Sequence, residues 1–280
     1  AATGRKIWTL PSSGRAVFEP SGEQVIATRG ADLVVVNARD ANILRTLPRA
    51  QFPGVSAMVM HPRGKLVVTG GPGGYIRGLD LAEGRSLFEF HAHAGYVRFV
   101  DFSPDGERLA SVAEMAGEKQ SIHVWDSATG VRIQSLLGGF GRAEGFRIHP
   151  LSGELLVSGF VTKSWSLECA KPARTLPGVS AAAFPGSDEV CLGLNSGNGS
   201  VAAYTLGKQE PAMAWNSAAS GFRMVSVSAN GRCAVAGAPG DAESRVQIIS
   251  NPGGVPVETH VLQTRFTLGF MRLSPDGGRL

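Results

Sequence analysis

Apolar residues in this chain come in short runs, not long helical stripes, and the runs recur. EQVIAT at 23, KLVVTG at 65, ERLASV at 107, ELLVSG at 154, DEVCLGL at 188 and RCAVAG at 232 are aliphatic segments bounded by turn formers, the pattern of β-strands. Ahead of them stand phrases of one form, in which an apolar residue is followed by any residue, Pro or Ala, any residue and Gly. These are FEPSG at 18, MHPRG at 60, FSPDG at 102, IHPLSG at 148 with one insertion, VSANG at 227 and LSPDG at 273, with a shorter relative, FPGSDE, at 184. Pro fixes φ, Asp or Asn bonds its own backbone and Gly accepts positive φ, so each phrase predicts a tight turn between two strands. Successive phrases start 42, 42, 46, 36, 43 and 46 residues apart.

A Gly-rich or polar connection then leads to a third apolar run: LVVVN, YIRGLD, SIHVWD, KSWSL, SVAAYT or RVQIIS. A second turn and a fourth strand follow. Five units carry large apolar pairs, Val36 with Leu47, Leu79 with Phe90, Trp125 with Leu136, Trp165 with Leu176 and Tyr204 with Trp215, all eleven residues apart. The third and fourth strands are therefore expected to pair through these residues in a fixed register. A four-stranded unit of this size cannot bury both faces alone, so neighbours must stack, and radial stacking closes the array. Inner runs such as AMVM and VRFVDF blur the polar alternation, as a strand covered on both faces should.

The predicted fold is all-β: a seven-bladed β-propeller, one domain over 1–280. Six complete four-stranded blades fall at about 11–47, 48–90, 91–137, 138–176, 177–215 and 216–262. An incomplete seventh combines 1–10 with 263–280, because AATGRKIWTL repeats SATGVRIQSL of 127–136 and LSPDGGRL copies FSPDGERL of 102–109. A third strand for that blade is missing, so the chain is expected to be a fragment of a longer protein.

His93 to Gly130, HAGYVRFVDFSPDGERLASVAEMAGEKQSIHVWDSATG, resembles the WD-repeat family through His93, the phrase from Phe102 to Gly106, Ser111, and Trp125 with Asp126. The looser pattern covers nearly the whole chain, but other units put Val36-Asn37, Leu79-Asp80 and Tyr204-Thr205 in the Trp-Asp position, which reads as a divergent, prokaryote-style member. The resemblance implies a buried network in a blade, linking a Trp indole, a Ser or Thr, a His and an Asp. Trp125, Ser111 and His93 supply three of these; the Asp position, six before the Trp, holds Lys119. A partial network in one blade is expected. The resemblance also implies that the outer strand of the last blade comes from the N-terminus, as a clasp, and that partners dock on the loops joining outer to next inner strands and second to third strands.

Composition narrows the function. The 280 residues are 43% hydrophobic and 18% charged, with 37 Gly and 16 Pro, which suits a globular chain with many turns. Net charge is +4, yet basic residues are spread singly, without the stripe that nucleic-acid binding needs. No run of 18 apolar residues offers a membrane span. The three cysteines form no CxxC pattern and read as small core residues. No charged segment followed by an apolar one opens the chain, and its first residue is not Met, so the compartment stays open, with the cytoplasm slightly favoured.

Candidate chemistry is sparse. His91-Ala92-His93 has metal-like spacing on a strand but no third ligand, so neither metal nor cofactor is assigned. His61 and His149 precede the Pro of the first turn and are expected on the surface. GGPGG at 70–74 reads as a flexible turn. Inner strands of catalytic propellers gather charged groups at the channel; here that column shows no carboxylate pair or histidine. Asp101 and Arg147 fall in adjacent blades of it and are expected to bridge them as an ion pair. On the docking loops, Tyr75, Tyr96, Arg98, Phe140, Arg142 and Phe222 are of the types that dominate interface energetics.

The reading is thus a non-catalytic scaffold, a monomeric domain binding a protein or peptide on one face. An alternative is a sensor propeller tethered to a catalytic domain of kinase or protease type. An enzyme with a channel site ranks third.

Overall fold

The computed structural model describes residues 7–11, 14–47, 54–114, 120–137, 142–149, 152–159, 161–167, the later strands given below, Ser228, Met271, 273–276 and 278–280. Regular structure among them is β, apart from one short 3-10 turn at Pro72–Gly74. No helix among the described residues is long and apolar enough to cross a membrane.

Among the described residues, twenty-four strands form six four-stranded antiparallel sheets, each a meander of consecutive strands. The first holds β1 (Ala16–Phe18), β2 (Gln24–Arg29), β3 (Asp32–Asn37) and β4 (Ile43–Leu47); the second β5 (Ala57–Met60), β6 (Leu66–Gly70), β7 (Tyr75–Asp80) and β8 (Ser86–His91). The third holds β9 (Tyr96–Phe102), β10 (Arg108–Glu114), β11 (Ser121–Asp126) and β12 (Arg132–Leu137); the fourth β13 (Gly145–Ile148), β14 (Leu155–Ser158), β15 (Val161–Trp165) and β16 (Arg174–Pro177). The fifth holds β17 (Val179–Ala183), β18 (Val190–Asn195), β19 (Val201–Thr205) and β20 (Pro211–Ala214); the sixth β21 (Met224–Val227), β22 (Cys233–Ala238), β23 (Ser244–Ser250) and β24 (Thr259–Thr264).

The chain divides into two compact units, one of Lys6–Gly139 with the first three sheets, the other chiefly Phe140–Leu280 with the last three. In the first unit the opening strands are neighbours, β1 beside β5 and β5 beside β9; in the second, β13 lies beside β17 and β17 beside β21. Within each unit the first strands are therefore inner ones.

The SPDG turn works through its side chains. Ser103 Oγ lies 2.5 Å from Asp105 Oδ1 and accepts from Arg108 N at 2.8 Å, while Glu107 N donates to Asp105 Oδ1 at 2.9 Å. The later copy repeats this: Ser274 Oγ lies 2.6 Å from Asp276 Oδ1, Arg279 N donates to Ser274 Oγ at 2.8 Å, and Gly278 N to Asp276 Oδ1 at 2.9 Å. Equal sequence gives equal turn.

The register differs from the expected one. Val36, Leu79, Trp125 and Tyr204 pair with Ile43, Ser86, Arg132 and Pro211, and a register shift directly precedes each of the four. Leu47, Phe90, Leu136 and Leu176 lie instead across from Leu33, Ile76, Ile122 and Thr162. The first four eleven-residue pairs are not partners, and Trp215 of the fifth lies outside the described residues; in the first two sheets the pairs cover opposite faces. Leu47 joins Val17, Ile26, Leu33 and Val35 in a core shared with Met58, Met60, Val67 and Leu79 of the second sheet. Val36 joins Val25, Ala27 and Val34 on the other side. Phe90 packs onward with Val97, Val100, Phe102 and Trp125 of the third sheet. The spacing persists because one member packs backward and the other forward.

The terminal strands differ too. Residues 7–10 are not in a strand; Trp8 and Leu10 pack on the Val25, Val34 and Val36 face, and the Trp8 indole donates to Ala38 O at 3.0 Å. Residues 1–6 lie outside the described ones. Of 263–280, Gln263 and Thr264 complete β24, and Ser274, Asp276, Gly278 and Arg279 make the turn bonds above. No seventh sheet occurs among the described residues.

Candidate functional site

The third sheet carries a buried polar cluster. Leu109 is opposite Trp125 on β10 and β11, and Ser111 is opposite His123; alternation along the strand therefore puts Ser111 two residues from Leu109 on the same face. The Trp125 indole donates to Ser111 Oγ at 2.8 Å, and His93 Nε2 lies 2.8 Å from the same oxygen. All three are buried. Ser111 can accept from the indole and donate to a neutral imidazole. Lys119 lies outside the described residues.

A fourth member is His123. Its ring stacks on His93 with centroids 4.4 Å apart and planes 8° from parallel. Its Nδ1 lies 3.1 Å from the Ala92 carbonyl, which can only accept, so Nδ1 bears the proton. Burial, then the neighbouring His123, His91 and Arg132, push the His93 pKa down to about 3. Burial and Arg132 lower that of His123, against the Ala92 bond, which raises it. Both rings are neutral at neutral pH.

GGPGG is an ordered turn, not the flexible one expected. Ala92 N and His93 N both donate to Gly74 O, at 2.8 and 3.1 Å, and Val97 N donates to Gly71 O at 3.2 Å. Gly74 has φ +76°, and a Cβ there would stand 1.5 Å from His93 O, so only glycine fits. These bonds tie the β6–β7 connection to the β8–β9 connection.

Three rim candidates sit on that tied cluster. Tyr75 is 37% and Tyr96 41% exposed. The Tyr75 ring meets His91 edge-on at 5.1 Å, and the Arg77 guanidinium carbon, from a side chain paired with Glu89, stands 5.2 Å from the Tyr75 ring centre. Tyr96 lies across from Glu114, whose carboxylate binds Arg98 Nη1 at 2.8 Å. Val112 pairs with Phe99 and Ala113 with Val97, so Arg98 is the extra residue of a β-bulge, which re-aims its side chain. Arg142 is exposed in the other unit; Phe140 and Phe222 lie outside the described residues.

The remaining histidine candidates have separate partners. His91 and His93 do not make a metal pair: one ring meets Tyr75, the other Ser111. No group of three or more His, Cys, Asp or Glu that could hold a metal occurs among the described residues. Asp101 is buried in the first unit and accepts from Phe102 N at 3.2 Å; Arg147 belongs to the second unit. His149 is fully buried instead of on the surface, its Nδ1 accepting from Ser152 N at 3.0 Å. His61 is half-buried, its ring edge-on to Phe102 at 4.9 Å and close over Gly106 of the next sheet.

Sequence reasoning missed His123 and Arg77. Signals existed: His123 stands two before Trp125, on the same strand face, and Tyr-x-Arg occurs at both 75–77 and 96–98.

The family model described as WD domain, G-beta repeat matches residues 84–126, the segment that contains Ser111 and Trp125. The chain is similar to cilia- and flagella-associated protein 52 of Chlamydomonas reinhardtii, 30% identical over 112 residues, covering 39% of this chain and 17% of that protein. It is 26% identical over 113 residues to serine-threonine kinase receptor-associated protein of Bos taurus, covering 40% and 31% of the two chains. It is 26% identical over 137 residues to actin-interacting protein 1 of Drosophila melanogaster, covering 46% and 22%. The chain thus spans less than a third of the length of these relatives. All three are eukaryotic, which lends no support to a prokaryote-style member. Residues 84–126, which hold the Trp125–Ser111–His93 cluster in a chain of repeated four-stranded sheets, thus match a WD repeat.

Proposed function

We propose that the chain is a non-catalytic interaction scaffold that docks a protein or peptide on the loop cluster bearing Tyr75, Tyr96 and Arg98, extended by Phe140, Arg142 and Phe222. The observation that carries this is the ordering of that cluster: half-exposed aromatics stand on connections locked by bonds to Gly71 O and Gly74 O, with Arg98 held by Glu114. A preformed aromatic surface loses little entropy on binding. Two of the relatives are named for a receptor and for actin, which supports a partner-binding role.

The same proposal takes the sheets as blades of one seven-bladed ring, with units near 11–47, 48–90, 91–137, 138–176, 177–215 and 216–262, closed by 1–10 with 263–280. Trp8 and Leu10 support the clasp, because they cover on the first sheet the face that Leu47 and Phe90 cover on the second and third. In that ring Asp101 and Arg147 form an inter-blade ion pair.

A photoreactive residue at 75 or 96 tests the docking face against one at Arg63, in the turn at the other end of β6. Cross-linking to one discrete partner from 75 and 96 but not from 63 is expected. Equal products from all three positions, or products from 63 alone, would reject the face.

A further inference from the structure

The seam between the fourth and fifth sheets, both of the second unit, differs from the seam between the first and second. Thr162 lies across from Leu176 as Leu33 lies across from Leu47. Thr162 and Ser164 of β15 therefore hold the places of Leu33 and Val35, which share a core with the second sheet. Ser164 pairs with Leu156, and alternation puts Ser158, two residues further along β14, on the same face. By the same correspondence that face turns to the fifth sheet, whose β17 lies beside β13, β14 and β15. Ser158, Thr162 and Ser164 are all buried, and Ser158 Oγ and Ser164 Oγ have no hydrogen-bond partner among the described residues.

The fifth sheet carries small residue types along the facing row. A register shift directly precedes Tyr204 as one precedes Leu79, which matches the row of Ala182, Gly193 and Ala202 to the row of Met58, Thr69 and Arg77 in the second sheet. Met58 and Leu79 share a core with the first sheet, so the matching row of the fifth sheet turns to the fourth. A Leu, a Val, a Met and an Arg of one seam are thus a Thr, a Ser and two Ala in the other.

We propose that this seam is a binding site for water: one or two solvent molecules sit between the fourth and fifth sheets as fixed ligands of Ser158 and Ser164. A buried hydroxyl left dry gives up the bonds it makes in bulk water, and a held water restores them. Ser164 is opposite Leu156, so Ser158 is its diagonal neighbour, roughly 7 Å away, a span that one water or a chain of two bridges. A buried water needs about two to four polar partners and space of its own. The hydroxyls of the fourth sheet supply the partners, and the small residues of the fifth supply the space. The ligand is polar and small, because an apolar molecule would leave both hydroxyls unpaired.

Magnetic relaxation dispersion of solvent water on the full chain counts the molecules held for longer than the protein takes to tumble. Ser158→Ala and Ser164→Ala are expected to lose a long-lived water relative to the wild type, whereas Ser135→Ala, which removes an exposed hydroxyl of β12, should lose none. A crystal structure of the wild type gives a second reading that needs no variant, with a water expected within hydrogen-bond distance of Ser158 Oγ, Ser164 Oγ or both. A count unchanged in both buried-site variants would overturn the site. So would density in which both hydroxyls bond protein groups directly or meet only carbon. Neither reading involves a docked partner or the closure of a ring, so the failure of this site and the failure of the scaffold reading are separate results.

Discussion

Phe90, on the outer strand of the second sheet, lies with its ring centre 4.9 Å from that of Trp125, on the third strand of the next sheet, the planes tilted by 46°. This contact joins two sheets, and Trp125 joins the buried polar cluster to it. Replacing Trp125 with Ala should therefore cost on the order of 3–5 kcal/mol. Trp125→Phe keeps most of the contact and loses one hydrogen bond, about 1 kcal/mol. Denaturant unfolding separates the two, and equal losses would mean that packing is not the main contribution of the indole.

Glycine at 74 is required by space as well as by φ. Gly74→Ala would drive a methyl group into His93 O and should cost at least about 2 kcal/mol, since the backbone there is also left-handed. Gly30, at φ +58° with nothing within 4 Å of its Cβ position, is the control: Gly30→Ala should cost only about 1 kcal/mol. Thermal unfolding of the two variants checks the order.

Asp105 and Asp276 sit in matching turns. Their serine hydroxyl bonds first, then backbone N–H groups, hold both carboxyls below the usual aspartate value. Folded values below unfolded ones mean that these turns stabilise the protein above the unfolded aspartate pKa and lose that contribution as pH falls through the folded value. Carboxyl resonances should show both residues titrating low. Ser103→Ala should raise Asp105 alone; no change at Asp105 would show that the hydroxyl is not its main stabiliser.

Among the rim residues, Tyr96→Ala and Tyr75→Ala should each weaken partner binding by about 1.4 kcal/mol, tenfold in Kd, with the unfolding midpoint nearly unchanged because both residues are well exposed. Arg98→Ala removes a bulge side chain and its bond to Glu114, so binding and the midpoint should both fall. Calorimetric titration with the cross-linked partner measures this. Full affinity in all three variants would move the docking surface elsewhere.

Much of this fold was legible because its determinants are local. The SPDG phrase builds its turn from Ser103, Asp105 and Gly106 alone, so its copies announce the strands around them. Register was not legible: the shifts before Val36, Leu79, Trp125 and Tyr204 leave no mark in composition, and they turn an apparent cross-strand pair into residues on opposite faces. His93, Ser111 and Trp125 could be read from spacing. His123 could have been, from its period-two relation to Trp125, whereas Arg98 owes its direction to a bulge that no residue type signals.

The ring proposed above, in which the repeated sheets stack about one axis as a single rigid scaffold, can be checked in solution. Small-angle X-ray scattering of the chain tests it most directly. One compact ring of this length should give a radius of gyration of about 19 Å and a single-peaked pair-distance distribution. A radius above about 24 Å with two maxima would show separate bodies and contradict the ring.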